Sequence, residues 1–163
     1  MKMRLLILPL VAFYIAVSSI QASDISSQHD TEQYTPVFAA AAAGDLATVK
    51  AAIEKDNSLL NATEWDDATL LHLAVGQNHK ELVEYLLGQG ANVSAVTKSR
   101  LTPLHMAAQN ANITIAVILL THGAKINAVD SNGWTPLDRA EKWHHPLTSQ
   151  FLKKNGGQEG SHI

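Results

Sequence analysis

Residues 102–108, TPLHMAA, recur along the chain at a fixed spacing. Residues 69–74, TLLHLA, lie 33 positions earlier, and residues 135–140, TPLDRA, lie 33 positions later. A weaker copy, TPVFAA at residues 35–40, begins 34 positions before the copy at residues 69–74. Self-similarity at a period of this size is the signature of a repeat array, in which each unit buries its apolar face against its neighbours. The sequence therefore predicts four stacked units.

Each unit carries the signals of a helix, a turn and a second helix. Thr102 suits a helix N-cap, because its hydroxyl can accept a hydrogen bond from an orphan amide, and Pro103 suits the first helical position. A second helix is predicted from about residue 112 to residue 120, where isoleucine and leucine recur at helical spacing. Gly123 then ends it, since glycine takes left-handed dihedrals most readily. Equivalent stops are predicted at Asn57, Gly90 and Gly156.

The motif T-P-L-H-x-A at a period of 33 residues resembles that of the ankyrin repeat family, and so do the Gly-Ala pairs at residues 90–91 and 123–124. The resemblance implies an all-α ankyrin-repeat solenoid of four helix-turn-helix repeats with short hairpin-like fingers. It also implies a structural role for His72 and His105, which would tie a helix start to the neighbouring loop. The repeat domain is placed at residues 35–157, divided at 35–67, 68–100, 101–133 and 134–157.

The fingers lie between the helix pairs and, in the family that the chain resembles, carry D-x-x-G at their tips. Asp130 and Gly133 match this motif in full. Asp67 and Arg100 stand where the other two fingers would carry the glycine. A tight turn at positive φ is therefore predicted for the third finger and left open at the first two.

Departures from the repeat pattern concentrate at the ends of the array. Phe38 and Asp138 stand where the family usually has histidine. The last repeat is predicted to be a cap whose outer helix faces water. The polar residues that indicate this are Thr148, Ser149 and Lys153. The tail at residues 158–163 is short and polar and is predicted to be frayed.

Residues 1–22 have the three parts of a secretory signal. Lys2 and Arg4 precede an apolar run at residues 5–17, and the segment closes on the small residue Ala22. The run is shorter than the ~20 residues that span a bilayer. We predict a cleaved signal peptide, with an uncleaved anchor as the alternative, then a flexible lead-in at residues 23–34. The protein is thus expected to be exported, periplasmic or secreted, without stable membrane insertion after cleavage.

The charge balance argues against nucleic acid as the partner. The chain has 12 basic and 15 acidic residues, and removal of residues 1–22 would take away two basic residues and no acidic one, leaving 10 − 15 = −5. Nucleic-acid binding depends on a basic patch. With no cysteine, stability must come from packing rather than disulfides, and we predict a monomer.

Motifs for chemistry are missing from the sequence: G-x-S-x-G, H-E-x-x-H and G-x-x-x-x-G-K-[ST] do not occur. We therefore predict no catalytic, cofactor-binding or metal-binding residues and no cofactor. His144 and His145 are adjacent, so on a helix their side chains diverge by about 100° and would chelate poorly. A metal-binding or enzymatic module built on these two and His162 remains the alternative.

The resemblance implies a non-enzymatic scaffold that binds another protein through its concave face and fingers. Within that reading, a periplasmic inhibitor or immunity-type protein and a host-directed secreted effector both stay open. Exposed tryptophans are common interface anchors, although for Trp134 and Trp143 local packing is an equal alternative. The residues implied to contact the partner are Trp65, Asp66, Gln77, Lys98, Ser99, Arg100, Gln109, Asn110, Ser131, Asn132, Trp134, Lys142 and Trp143.

Overall fold

The computed structural model of the protein describes residues 31–160. The predicted signal peptide, most of the predicted lead-in and residues 161–163 lie outside these. The first helix, α1, spans Thr31–Ala43. The last four residues of the predicted lead-in are therefore helical, and Pro36 lies inside α1 rather than at its first position. Proline lacks an amide hydrogen, so α1 forgoes one backbone hydrogen bond there.

The helices form pairs, in which a short turn joins an inner helix to an outer helix, and α1 is the inner helix of the first pair. The remaining helices are short, at seven to ten residues. They are α2 (Leu46–Lys55), α3 (Leu70–Gly76), α4 (Lys80–Gly88), α5 (Pro103–Gln109), α6 (Ile113–Thr121), α7 (Pro136–Lys142) and α8 (Pro146–Lys154). Within residues 31–160 the only β-type pairing is an isolated bridge between Thr63 and Thr69. The all-α repeat fold is thus confirmed.

The helices stack in two layers. The inner helices α1, α3, α5 and α7 pack in chain order, and each outer helix packs on the inner helix of its own repeat. Equivalent residues meet in this stack: Leu71, Leu104 and Leu137 are at most 2% exposed. Small buried residues such as Ala74 and Ala107, both at 0%, let adjacent inner helices approach closely. The periodic pattern therefore becomes a main apolar core through the first three repeats and a smaller cluster at the last repeat, formed by Ala108, Leu137, Ala140 and Leu152.

A threonine begins each of the inner helices α3, α5 and α7. Thr69, Thr102 and Thr135 have extended backbones, and each hydroxyl accepts a hydrogen bond from the amide three residues on. That residue's side chain in turn accepts from the threonine amide, which completes a capping box. The N-cap predicted at Thr102 is confirmed, and the same local chemistry is repeated in register along the stack.

The predicted helix stops hold in three repeats and fail in the first. Gly90, Gly123 and Gly156 have φ values of 91°, 86° and 92° after the outer helices. Asn57 was predicted to do the same, but it begins a short 3-10 helix at Asn57–Asn61. The reason is Asp56, which is extended at φ −144° and accepts a hydrogen bond from the Ser58 amide at 3.0 Å. The side-chain cap replaces the left-handed stop.

The last outer helix departs from its predicted exposure. Thr148 and Ser149 were expected to face water, yet they are 1% and 7% exposed. They occupy the α8 positions that correspond to Ile115 and Ala116 in α6, both fully buried. The Ser149 hydroxyl is tolerated because it donates to the His145 carbonyl at 3.1 Å. Lys153 alone is exposed as expected.

The tail is docked on the last repeat as far as residue 160, so the predicted fraying is wrong there. The amide of Gly160 donates to Asp138 Oδ2 at 2.8 Å, and the amide of Gln158 donates to Asn127 Oδ1 at 2.8 Å. The Thr135 hydroxyl donates to the Gln158 carbonyl at 2.8 Å. The contact of Gln158 with Asn127 repeats that of the Asn92 amide with Asn61 Oδ1, at 2.8 Å, in an earlier repeat. Among residues 31–160, no helix is both long and apolar enough to span a bilayer.

Candidate finger surface

All three finger tips turn through a residue at positive φ, including the two without glycine. Asp67 and Arg100 have φ 58°, and Gly133 has φ 75°. Each tip amide donates to the carbonyl three residues earlier, at 2.8, 2.8 and 3.1 Å. A non-glycine residue in this region costs on the order of 1 kcal/mol. The hairpin hydrogen bonds that hold the fingers, such as Thr97 N–H to the Leu101 carbonyl at 3.1 Å, offset that cost.

The fingers are joined to one another by backbone hydrogen bonds. The Lys98 amide donates to the Asp66 carbonyl at 3.0 Å, and one repeat later the Ser131 amide donates to the Ser99 carbonyl at 3.0 Å. The Lys98 ammonium also donates to the Trp65 carbonyl. These contacts cross repeat boundaries at the same register. The three fingers therefore form one row whose backbone is fixed before any partner arrives.

The row of fingers carries an exposed aromatic side chain on one finger and exposed cations on the next. Trp65 is 80% exposed, the largest exposed fraction among the large apolar side chains of residues 36–160. Lys98, Ser99 and Arg100 on the next finger are also exposed. The Lys98 ammonium contacts the Trp65 backbone carbonyl, so the two fingers meet at this point. The finger surface, defined as residues 64–67, 97–100 and 130–134, carries Trp65 and Lys98 on adjacent fingers.

The third finger is held from within by a buried ion pair. The Asp130 side chain is 0% exposed, and Arg139 Nε on α7 donates to its Oδ2 at 2.9 Å. The amides of Asn132 and Trp134 donate to Oδ1 at 2.7 and 3.1 Å. Burial acts to raise the Asp130 pKa, but the hydrogen bonds from Arg139 and the two amides outweigh it and hold that pKa below the ordinary 3.8. Asp130 therefore shapes the finger and offers no free charge.

Sequence reasoning missed Arg139, which joins three elements. Besides Asp130 it donates to Gln109 Oε1 on α5 at 3.2 Å, and its guanidinium lies 5.2 Å from the centre of the Trp134 ring. The Lys142 ammonium lies 5.1 Å from the same ring. Trp134 is accordingly half-buried and covered by two cations. The signal that could have found this cluster is an arginine one helical turn after the D-x-x-G-W stretch.

The remaining predicted contact residues lie at the ends of the inner helices. Gln77, Asn110 and Trp143 are the C-cap residues of α3, α5 and α7 and form one column along the stack. Asn110 Nδ2 donates to the Gly76 carbonyl of the preceding repeat at 2.9 Å. Trp143 is 52% exposed. Two tryptophans, Trp65 and Trp143, are thus open to solvent, whereas Trp134 is engaged in packing.

The repeat histidines link each repeat to the next. His72 Nδ1 accepts from the Thr69 amide at 3.2 Å, so its Nε2 carries the proton and donates to the Leu101 carbonyl at 3.0 Å. His105 repeats this with the Thr102 amide and the Trp134 carbonyl, at 3.1 and 3.0 Å. Burial lowers the pKa of both, against the carbonyl hydrogen bonds that raise it. Their predicted structural role is confirmed.

The C-terminal histidines do not converge within the described residues. His145 Nε2 donates to the Gln109 carbonyl at 2.9 Å, which commits it to the preceding repeat. His144 is exposed at φ 57° in the turn between α7 and α8, and His162 lies outside the described residues. Across residues 31–160 no cluster of three or more histidine or acidic side chains is placed to hold a metal ion.

The chain matches the sequence profile of ankyrin repeats (3 copies) over residues 8–97 and again over residues 71–161. It is 35% identical over 80 residues to the NAD-capped RNA hydrolase NUDT12 of Homo sapiens, covering 49% of this chain and 17% of that protein. It is 35% identical over 68 residues to Alpha-latrocrustotoxin-Lt1a of Latrodectus tredecimguttatus, covering 42% of this chain and 5% of the toxin. The chain therefore spans less than a fifth of the length of these relatives.

Proposed function

Because the chain belongs to the ankyrin repeat family, whose repeats are protein-binding scaffolds, we propose that it binds another protein through its finger surface and the adjoining concave face, without chemistry of its own. The observation that carries this proposal is the hydrogen-bonded finger row with Trp65 exposed at its edge. The hydrolase activity in the NUDT12 name is no part of it, since only 17% of that protein is matched.

Rigidity of the finger row supports tight binding. Association normally costs the ordering of loops and side chains at the interface. Here the Lys98 and Ser131 amides already fix each finger to its neighbour, and the Asp130–Arg139 pair fixes the third finger to α7. Little backbone freedom is left to lose on binding. The exposed indole of Trp65, on a finger row that also carries the polar residues Asp66, Lys98 and Ser99, has the composition of an interface anchor with a polar rim.

We further propose that the protein is exported, acts as a monomer in the periplasm or outside the cell, and inhibits or protects against its protein partner. The basis for export is the charged, apolar and small-residue pattern of residues 1–22. Intact-mass measurement of protein made in its native host tests it: we expect a chain that starts at Ser23. A mass that retains residues 1–22 would refute cleavage.

Substitution of the anchor tests the binding proposal. The partner is captured from extracts of the native host with the mature protein and identified, and its dissociation constant is then measured against variants. Trp65→Ala should raise the dissociation constant at least about thirtyfold, the equivalent of a hot spot of 2 kcal/mol. Folding should be unchanged, because an 80% exposed side chain buries little.

Val117→Ala is the matched control, since Val117 is an exposed apolar side chain, at 46%, on the outer helix α6. It should leave the dissociation constant unchanged. If Trp65→Ala bound as wild type while Val117→Ala did not, the partner would sit on the outer helices and the finger-surface proposal would fail.

A further inference from the structure

A small cleft opens between the second and third fingers. Its volume is about 200 Å³, and its walls come from residues 94–102 and 125–129. Val96 and Val129 stand at equivalent repeat positions in these walls and are 48% and 44% exposed. Half-exposed valines facing one cleft give it apolar sides. The Thr102 hydroxyl, which also lines the cleft, is already hydrogen-bonded to His105. It therefore does not need a hydrogen bond from a ligand.

Two cations line the same cleft, and no carboxylate does. They are Arg100, at the tip of the second finger, and Lys125, on the loop that leads to the third. Within residues 31–160 neither has an acidic side chain within 4.0 Å, whereas Lys50, Lys80, Arg139 and Lys153 each pair with one. The whole chain carries a net charge of −3. The cleft is therefore a local positive site on an acidic protein, and its two cations are not in ion pairs with described residues.

The position of Arg100 is set by the backbone. Its amide donates to the Thr97 carbonyl at 2.8 Å and its φ is 58°, so the side chain leaves from a fixed point on a tight turn. A guanidinium can receive a carboxylate through two parallel hydrogen bonds. The ammonium of Lys125 supplies a second positive charge on the opposite wall.

The size of the cleft indicates the kind of ligand. Sites for small molecules usually measure ~300–1,000 Å³, which is larger than this cleft. A cleft of about 200 Å³ with apolar sides and two cations suits one acidic side chain together with part of an aliphatic neighbour.

We propose that this cleft receives an aspartate or glutamate side chain, flanked by an aliphatic residue, from an acidic segment of the bound protein. The inference rests on the proposed protein-binding function and adds the chemistry of the partner. It also gives Arg100 and Lys125 a role separate from that of Trp65, whose indole belongs to the first finger.

Two capped peptides test the proposal without the natural partner. Acetyl-Leu-Glu-Leu-amide and acetyl-Leu-Gln-Leu-amide are titrated into isotope-labelled protein, and backbone amide shifts are followed by NMR. The glutamate peptide should shift amides in residues 94–100 and 125–129. The glutamine peptide should bind about fivefold more weakly, which is the upper end for one exposed ion pair.

The variants Arg100→Asn and Lys125→Gln should each remove part of the preference for the glutamate peptide, and the double variant should bind the two peptides equally. Asparagine is chosen at position 100 because it tolerates positive φ, and Lys125 is on an exposed loop, so both variants should fold. Lys55→Gln is the control, since Lys55 is an exposed cation on α2 without an ion pair among the described residues.

Equal binding of the two peptides to the wild-type protein, or a preference for the glutamate peptide that survives both substitutions, would overturn the proposal. Inorganic phosphate is titrated in parallel, and equal shifts with phosphate would reduce the cleft to a generic anion site and refute the peptide assignment. None of these outcomes involves Trp65 or a captured partner, so they are separate from the Trp65→Ala test of the proposed function.

Discussion

Replacing Gly160 by alanine tests whether the docked tail stabilises the last repeat. A Cβ atom at this position would lie 2.0 Å from the Gly133 carbonyl oxygen and 2.9 Å from Asp138 Oδ2. Neither distance is tolerable, and the carbonyl is backbone that cannot move without opening the third finger. The tail must therefore leave its site, and the hydrogen bond from the Gly160 amide to the Asp138 carboxylate is lost.

The size of the effect follows from that bond. A hydrogen bond to a charged group contributes about 1.5–3 kcal/mol, and the part-buried setting of this one places it near the lower end. We expect the free energy of unfolding to fall by about 1–2 kcal/mol, which for a domain of this size lowers the midpoint of thermal unfolding by roughly 4–8 °C. Calorimetry or circular dichroism measures the midpoint directly.

Two controls bracket this result. Gly88→Ala, at the end of α4, meets no atom within 4 Å, and should be neutral or stabilise by up to about 1 kcal/mol through helix propensity. Truncation before Gln158 removes every tail contact and sets the largest loss that Gly160→Ala can produce. If Gly160→Ala unfolded at the wild-type temperature, the tail would not be docked and the reasoning would be wrong.

Core truncations and pH give two further tests. Leu104→Ala, at 0% exposure in the main core, should cost about 2–5 kcal/mol. Leu152→Ala, in the small C-terminal cluster, should cost less, and chemical denaturation that ranked them the other way would refute the assignment of interior and cap. Burial lowers the pKa of His72 and His105 below 6.5, so the unfolded chain takes up protons first as the pH falls. The free energy of unfolding should therefore decrease below about pH 6.5, by up to about 1.4 kcal/mol per pH unit for each histidine, and equal stability at pH 7 and 5 would contradict this.

The sequence predicted those features that depend on residues close together in the chain or at equivalent positions of adjacent repeats. The threonine caps, the glycine stops and the histidine links repeat at 33 residues because each depends on neighbours within one repeat or on the same register of the next. The left-handed stop predicted at Asn57 does not form, because Asp56, one residue earlier, caps a 3-10 helix instead. The positive-φ turns at Asp67 and Arg100 were left open because residue type alone disfavours them, while the hydrogen bonds that enforce them come from the hairpin as a whole.

The repeat pattern of the sequence did not predict contacts between side chains that are distant along the chain. Arg139 reaches Asp130 and Gln109 only after α5 and α7 have packed. The tail docks because Asn127 and Asp138, which are 11 positions apart, both face it. The site residues themselves remain predictions, although the structure separates the exposed Trp65 and Trp143 from the packed Trp134. Exposure of an aromatic side chain cannot be read from a repeat register.

The exchange of histidine for aspartate at position 138 restricts how this protein could gain length. His72 and His105 each donate a hydrogen bond to a carbonyl of the following unit, so a duplicated unit inserted between them would find the same donor and acceptor on both sides. Asp138 instead accepts from Gly160 and would confront the carbonyl of an appended unit with a carboxylate. An array of this design can be lengthened by internal duplication, whereas a unit added after α8 would meet a carboxylate at position 138 in place of a hydrogen-bond donor.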